Sequence, residues 1–283
     1  MSRSPDRYAV LGNPVQHSQS PFIHGLFAQA TGHAIAYERL LCPLDGFDAA
    51  VRAFADSGAK GCNVTVPFKF DAWAVAARRS ERATLAEAAN VLRFDTEGWL
   101  ADNTDGVGLV RDIERNAGVA LAGQRVLLIG AGGAAAGVLG PLLQARPAEV
   151  VVANRTRAKA ADLVRRHGAL AASLGVALKA HGLDDAGSGF GVVLNSSASS
   201  LAQAGVPVSA EVLAPGALAV DLMYGPAAQG FIDWAQAHGA VGRDGLGMLV
   251  EQAAEAFAVW RGVLPDTAPV LQALRDRLAA KTA

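Results

Sequence analysis

The chain has little cysteine, little net charge and no run of residues that could sit in a bilayer. Cys42 and Cys62 are its two cysteines in 283 residues. Two are too few for a disulfide framework, and they lack metal-site spacing. Both are expected to be small buried hydrophobes. A formal net charge of −1 gives nucleic acid or an anionic membrane surface nothing to hold. No apolar stretch is long enough to span a membrane without meeting glycine or charge. The segment Met1-Ser2-Arg3-Ser4-Pro5-Asp6-Arg7 has no signal-peptide apolar region and leads directly into a strand pattern. The six histidines are scattered, with no HExxH-type pair. Repeats and low-complexity linkers are missing too. The expectation is a soluble, cytoplasmic, reduced protein without a metal, acting on a small molecule rather than on nucleic acid or membrane.

Hydrophobic residues make up 51% of the chain, a globular proportion, and the length suits two domains of ordinary size. Strand-like and helix-like segments alternate. Tyr8–Leu11, Ala36–Leu41, Gly61–Val66, Val126–Ile129, Val150–Val152, Val192–Leu194 and Ala219–Leu222 read as strands. Between them, Pro21–Ala30 (with Ser20 as its cap), Leu44–Ser57, Lys69–Ala77, Glu81–Ala86, Asp105–Gly118, Ala136–Ala145 and Phe231–His238 read as helices. Asn90–Phe94 and Trp99–Ala101 form a hairpin pattern around Asp95-Thr96-Glu97-Gly98. Met248–Trp260 and a segment from about Pro269 close the chain as helices. This alternation predicts an α/β protein with mostly parallel sheets in both halves.

One more absence carries the strongest functional signal. Gly130-Ala131-Gly132-Gly133-Ala134-Ala135 follows the apolar run Val126–Ile129 and opens a helix. Such a turn lets backbone N–H groups approach a pyrophosphate. The next strand ends at Asn154-Arg155-Thr156, where an NAD-binding protein places an acid for the ribose 2′-hydroxyl. No Asp or Glu occurs from Val150 to Lys159. Arg155, with Thr156 and Lys159 beside it, suits a 2′-phosphate instead. The segment predicts a dinucleotide site that prefers NADP(H).

The first half has its own polar motifs. In Asn63-Val64-Thr65-Val66-Pro67-Phe68-Lys69, strand alternation puts Asn63 and Thr65 on one face, with Lys69 a turn further on. Asn103-Thr104-Asp105 precedes a helix, where Asn103 or Thr104 could be the cap and Asp105 a first-turn acid. Ser18 and Ser20 flank a helix start, where serine is common for capping alone.

Taken together, Gly12-Asn13-Pro14, Ser18-x-Ser20-Pro21, Asn63-Val64-Thr65-x-Pro67-x-Lys69, Asn103-Thr104-Asp105-Gly106, the glycine turn and Asn154-Arg155-Thr156 resemble the shikimate dehydrogenase family. Asp221-x-x-Tyr224 and Gly245-x-Gly247-Met248-Leu249-x-x-Gln252-Ala253 complete the series, which runs from about Tyr8 to beyond Pro265. The resemblance implies reversible NADPH-dependent reduction of 3-dehydroshikimate to shikimate, on the route to chorismate and the aromatic amino acids. It implies that Lys69 and Asp105 form the catalytic pair and that Ser18 and Ser20 hold the substrate carboxylate. Asn63, Thr65, Asn90, Asp105 and Gln252 would hold the ring hydroxyls, with Tyr224 alongside. Gly130 to Ala135 would cradle the pyrophosphate, and Asn154, Arg155, Thr156 and Lys159 would surround the 2′-phosphate. Asn195, Ser197 and Gly245 would complete the cofactor site. The substrate would be read by hydroxyl and amide groups rather than by an arginine clamp.

The family fold implies a substrate domain of residues 1–104 and 243–283 and a Rossmann-like NADP-binding domain of 105–242, with the active site in the cleft, as a monomer or homodimer. A broader-specificity quinate/shikimate dehydrogenase is the nearest alternative, and a non-catalytic NADP(H) sensor a more distant one. The pattern is departed from in three places. Val91 stands where the family commonly has Thr, Ala136 where many members have Arg, and Ser200 where glycine often closes the Asn195-Ser196-Ser197 loop. The loss of an Arg at 136 predicts weaker NADP(H) binding without a change of preference.

Overall fold

The computed structural model describes residues 4–197 and 205–282. Ser200 falls outside them. The chain forms two compact units, Met1–Gly108 with Val250–Ala283, and Leu109–Leu249.

In the first unit, β1 (Asp6–Gly12), β2 (Ile35–Leu41), β3 (Gly61–Val64), β4 (Arg78–Arg79), β5 (Val91–Arg93) and β6 (Leu100–Asp102) form one sheet in the order β2-β1-β3-β5-β6-β4. The first three strands are parallel, and β5 runs antiparallel to both β3 and β6. Helices α1 (Ser20–Thr31), α2 (Phe47–Asp56), α3 (Lys69–Val75) and α4 (Glu81–Ala86) connect the strands. The α2 sequence places Phe47, Val51 and Phe54 on one stripe, and these are its buried residues. They join Leu11, Phe68 and Leu92 in a core on one side of the sheet. Alternation along β1 sends Tyr8 to the other side, where its ring lies 4.7 Å from that of Trp260. Cys42 and Cys62 are free and buried.

Helix α5 (Asp105–Arg111) leads into one wider turn, Asp112–Asn116. The second unit then holds β7 (Arg125–Ile129), α6 (Gly133–Gln144), β8 (Glu149–Ala153), α7 (Arg157–Leu174), β9 (Ala177–His181), β10 (Phe190–Asn195), β11 (Leu213–Asp221), α8 (Pro226–Ala237) and β12 (Val241–Arg243). All pairings are parallel, in the order β12-β11-β10-β7-β8-β9. Numbered within the unit, that is 3-2-1-4-5-6 read from β9, the dinucleotide-binding Rossmann order. The residues of β7 from Val126 onward and those of β8 are buried, as expected for strands covered on both faces. The order reverses direction at β7, and ligands bind beyond the strand ends at such a point. Helices α9 (Leu246–Arg261) and α10 (Ala268–Thr282) close the chain.

The structure corrects three local expectations and adds three short strands. Strand β3 stops at Val64, so Thr65 is not on its face; the Thr65 N–H still donates to Leu11 O at 2.9 Å, but the chain then turns into Pro67. Ser20 is the first residue of α1 and not its cap; Gln19 precedes the helix without a side-chain capping bond, and the two serine hydroxyls bond each other instead. Helix α6 starts at Gly133, not Ala136, because the glycine turn itself supplies the first helical residues. The short strands β4, β9 and β12 have no clear apolar run in the sequence, and sheet pairing creates them.

Candidate active site

Lys69 begins α3, a position where a cation opposes the helix dipole. What holds it there is Asp105, at the start of α5: Nζ lies 2.5 Å from Oδ2, with side-chain exposures of 17% and 7%. Asp105 is fixed by two further bonds. Its backbone N–H donates to Asn103 Oδ1 at 3.2 Å, and its Oδ1 accepts from Asn90 Nδ2 at 2.9 Å. The Asn90 amide also donates to Gln252 Oε1 at 2.9 Å, while its Oδ1 accepts from the Thr104 N–H at 2.8 Å. One asparagine thus links the Lys69–Asp105 pair to α9. Asn103 and Thr104 are fully buried, and Asn103 Nδ2 donates to Ala88 O. In that motif only Asp105 carries charge to the site.

Asp102 anchors this segment from behind. Arg82 donates to it through Nε and Nη2, both at 2.7 Å, and through Nη1 to Glu255 Oε1 at 3.0 Å. The Asn103 N–H and the Ser80 hydroxyl also donate to Asp102 Oδ1. Burial pushes the Asp102 carboxyl upward, but the Arg82 guanidinium and these donors outweigh it and hold the group below its ordinary value.

Asn63 sits on β3, buried, with its orientation dictated by its neighbours. Its Nδ2 donates to Asn90 O at 3.2 Å, so its Oδ1 faces the Tyr37 hydroxyl at 2.7 Å and His24 Nε2 at 3.1 Å. A carbonyl oxygen only accepts, so both neighbours must donate, and His24 carries its hydrogen on Nε2. The imidazole stacks on the Tyr37 ring with centroids 4.4 Å apart. Burial pushes His24 down to about 3, although its bond to Asn63 works the other way. Its Nδ1 has no partner. The Asn63 amide therefore has one N–H left for a ligand.

Ser18 Oγ donates to Ser20 Oγ at 3.1 Å and accepts from the Ser20 N–H at 3.3 Å. Arg39 donates to Ser18 O through Nε at 2.9 Å and Nη2 at 2.6 Å. Thr65 packs its methyl against Gly12, where any Cβ would collide with it.

In the second unit the chain leaves β7 through Gly130 at φ 111°, a conformation that favours glycine. A Cβ there would lie 2.6 Å from Ser196 Oγ. Gly132 precedes α6, and neither a capping side chain nor a first-turn acid covers the helix start. Those N–H groups fit an anion. Arg155, Thr156 and Lys159 are exposed around the start of α7. Neither cation pairs with an acid among the described residues, and Asn154 Nδ2 donates to Thr156 O at 2.9 Å. Asn195 is buried; it donates to Asp221 Oδ2 at 2.8 Å and accepts from the Ser197 hydroxyl at 2.7 Å. Its amide shapes the loop, and Ser197 is the residue it positions. Gly245 donates its N–H to Met223 O at 2.8 Å. Tyr224 lies half-buried between β11 and α8. Val91 and Ala136 are both core residues. No group of three metal-ligating side chains occurs among the described residues, and no described helix is long and apolar enough to cross a membrane.

Comparison with known proteins finds three matching family models and close relatives. Residues 10–92 match the shikimate dehydrogenase substrate-binding domain, 112–200 match shikimate/quinate 5-dehydrogenase, and 245–275 match the shikimate 5′-dehydrogenase C-terminal domain. A shikimate dehydrogenase (NADP(+)) of Methylibium petroleiphilum is 65% identical over 95% of this chain and 94% of its own. The chain belongs to the shikimate dehydrogenase family. Among solved structures, an Ael1 enzyme from Pseudomonas putida is 49% identical, with a TM-score of 0.85 over 95% of this chain and 98% of its own. A shikimate 5-dehydrogenase of Thermus thermophilus, solved with shikimate, is 30% identical, with a TM-score of 0.80 over 97% of this chain and 99% of its own.

Of the residues the family pattern singles out, Lys69, Asp105, Asn63, Asn90 and Gln252 form one hydrogen-bonded group that meets at Asn90. Ser18 and Ser20 form a second pair. Thr65 makes its hydrogen bonds through its backbone. Tyr224 and Gly245 belong to the second unit, with the glycine turn. The sequence motifs do not include His24, Tyr37, Arg39 or the Arg82–Asp102 anchor. Two of these carried a signal: Tyr37 and Arg39 share one face of β2 by strand alternation.

Proposed function

We propose that this chain catalyses the reversible NADPH-dependent reduction of 3-dehydroshikimate to shikimate, a step toward chorismate and the aromatic amino acids. The observation that carries the reading is the largely buried Lys69–Asp105 pair, tied through Asn90 to Gln252 and Asn63. A lysine at the start of a helix gains nothing structurally from that place, but it is poised to exchange a proton with a substrate oxygen.

The Gly130–Ala135 turn, Arg155 and Lys159 would hold NADPH, which would supply the hydride when bound. The fit of that turn rests on its backbone, since α6 begins on bare glycine without an acid in its first turn. As hydride reaches the ketone carbon, negative charge develops on oxygen, and the Lys69 ammonium donates a proton to it. In the reverse direction the neutral amine accepts the hydroxyl proton. Asp105 orients the lysine throughout. Asn63, through its one remaining N–H, and Gln252 read the ring hydroxyls, with Asn90 fixing both in place. Ser18 and Ser20 take the carboxylate. Tyr224, Asn154, Thr156, Asn195, Ser197 and Gly245 keep the roles that the family pattern gives them.

The test is absorbance at the NADPH band with purified protein, NADP+ and either shikimate or quinate. Fast reduction with shikimate alone is expected. Comparable rates on quinate or with NAD+ would move the chain to the broader-specificity relatives. Inactivity on both, with NADPH still bound, would replace the catalytic reading by that of a sensor.

A further inference from the structure

Two neutral serine hydroxyls make a weak seat for a carboxylate. An anion that leaves water needs compensation by charge or by several strong donors. The first unit contains a cation at that end. Tyr37 and Arg39 lie two residues apart on β2 and point to the same face. The Tyr37 phenol contacts Asn63 and lies beside Ser20. Arg39, one step nearer the strand's C-terminal end, clasps Ser18 O with Nε and Nη2. Both bonds go to one acceptor, so Nη1 stays uncommitted.

Nothing neutralises this guanidinium. Arg39 has no carboxylate partner among the described residues. Its neighbour Glu38 pairs with Arg7 at 2.8 Å. The first turn of α1, which carries Ser20, has no acid, so the helix dipole adds to the same sign. A backbone carbonyl can orient a guanidinium but cannot discharge it.

We propose that Arg39 is a substrate-binding residue, supplying the positive charge that draws the substrate carboxylate to Ser18 and Ser20. The proposal rests on the reading of those serines as the carboxylate seat. It replaces the expectation of a site without arginine by a single guanidinium set behind two hydroxyls. Arg39 then discriminates charged from uncharged ring substrates, while the amide network around Asn90 discriminates ring stereochemistry.

The test compares shikimate with its uncharged methyl ester, using initial rates of NADP+ reduction by the wild type, Arg39→Gln and Arg39→Lys. Arg39→Gln should raise the KM for shikimate about tenfold at low ionic strength, between the limits for exposed and near-surface charge pairs. The effect should shrink as salt screens the pair. The KM for the methyl ester and for NADP+ should stay within about twofold of wild type on the same argument. Arg39→Lys should recover most of the loss. An equal rise for shikimate and ester would make Arg39 a mere tether of the serine loop, and no rise for shikimate would remove it from binding altogether. A Ser18→Ala/Ser20→Ala variant separates the two layers. If it raises the KM for shikimate while Arg39→Gln does not, only the arginine assignment falls. If it changes neither substrate, the carboxylate seat lies elsewhere and both assignments fall. Melting temperatures of all variants verify that each is folded.

Discussion

The two units solve recognition in opposite ways. The first builds its site from side chains: Lys69, Asp105, Asn90, Asn63 and Gln252 interlock, mostly buried, and each fixes the next. The second builds its cradle mainly from backbone, a glycine turn at the end of β7 with two exposed cations at the next helix. The difference follows from the ligands proposed for each unit. A small ring with several hydroxyls must be told from its stereoisomers, which requires donors and acceptors at fixed positions. A pyrophosphate needs mainly backbone N–H groups and the positive end of a helix dipole, which any residues with small side chains supply. One site is therefore sensitive to single side chains, whereas the other depends on local backbone shape.

The largest break in this contrast should come from Lys69→Ala. It removes the proton donor of the side-chain site and should lower kcat by roughly 10²–10⁴-fold, while NADPH affinity, set in the other unit, stays unchanged by fluorescence titration. Retention of more than about a tenth of the rate would be too small a loss for acid–base catalysis. The same assignment has a pH consequence. Shikimate oxidation needs the neutral amine, so its rate should climb toward alkaline pH, and a flat profile would take the proton transfer away from Lys69.

Arg155→Asp makes the converse change. Reversing a charge beside the 2′-phosphate should weaken NADPH by about 100-fold, on the scale of unit charges a few ångströms apart near a surface. NADH, lacking that phosphate, should bind nearly as before. Equal losses for both cofactors would show that Arg155 supports the fold of the β8–α7 connection and does not read the phosphate.

The contrast also explains what could be read from the chain beforehand. The second unit was legible because its strands are continuous apolar runs and its site is a contiguous turn; Val126–Ile129 followed by Gly130-Ala131-Gly132-Gly133 announces both. The first unit's site was legible only as separate motifs, since the bonds that join them cross long sequence distances. Asn90 to Gln252 is one such bond, and Arg82 to Glu255 another. No local pattern marks His24 as the partner of Asn63, because a histidine on the buried face of a helix looks like any core residue until the strand beside it is known. Arg39 is hard to read for the opposite reason: it is exposed, and its meaning comes from the Ser18 carbonyl it clasps.

A third change tests how tightly the side-chain site is packed. A Cβ on Gly108 would lie 2.6 Å from the Gln252 backbone N. Gly108→Ala should therefore displace Gln252, raising the KM for shikimate about tenfold, the order of one lost hydrogen bond to a buried group. NADPH affinity should not follow. An unaltered KM would mean that α5 and α9 shift apart without disturbing Gln252, and that the amide network tolerates more movement than its bond lengths suggest.

The mildest prediction concerns acid, where the two units should behave alike. Each buries one histidine in its neutral form. Burial pushes His24 down to about 3, and it pushes His167, whose Nδ1 bonds Leu163 O, down to about 4. An unfolded histidine takes up its proton near pH 6.5. Both folded groups titrate below that value, so their stabilisation is complete above about pH 6.5 and is lost as the pH falls toward 4 for His167 and toward 3 for His24. Within that window each histidine should cost about 1.4 kcal/mol per pH unit, a tenfold change in the folded-to-unfolded ratio. Urea unfolding at pH 7.5, 6.5, 5.5 and 4.5, chosen to bracket the unfolded histidine value, measures the slope. His24→Gln keeps an amide donor for Asn63 and removes the titrating ring, and should flatten the slope by about one proton. The same substitution at His167 should act equally. A slope unchanged by either would mean that carboxylates dominate the acid transition and that these rings already carry a proton in the folded protein.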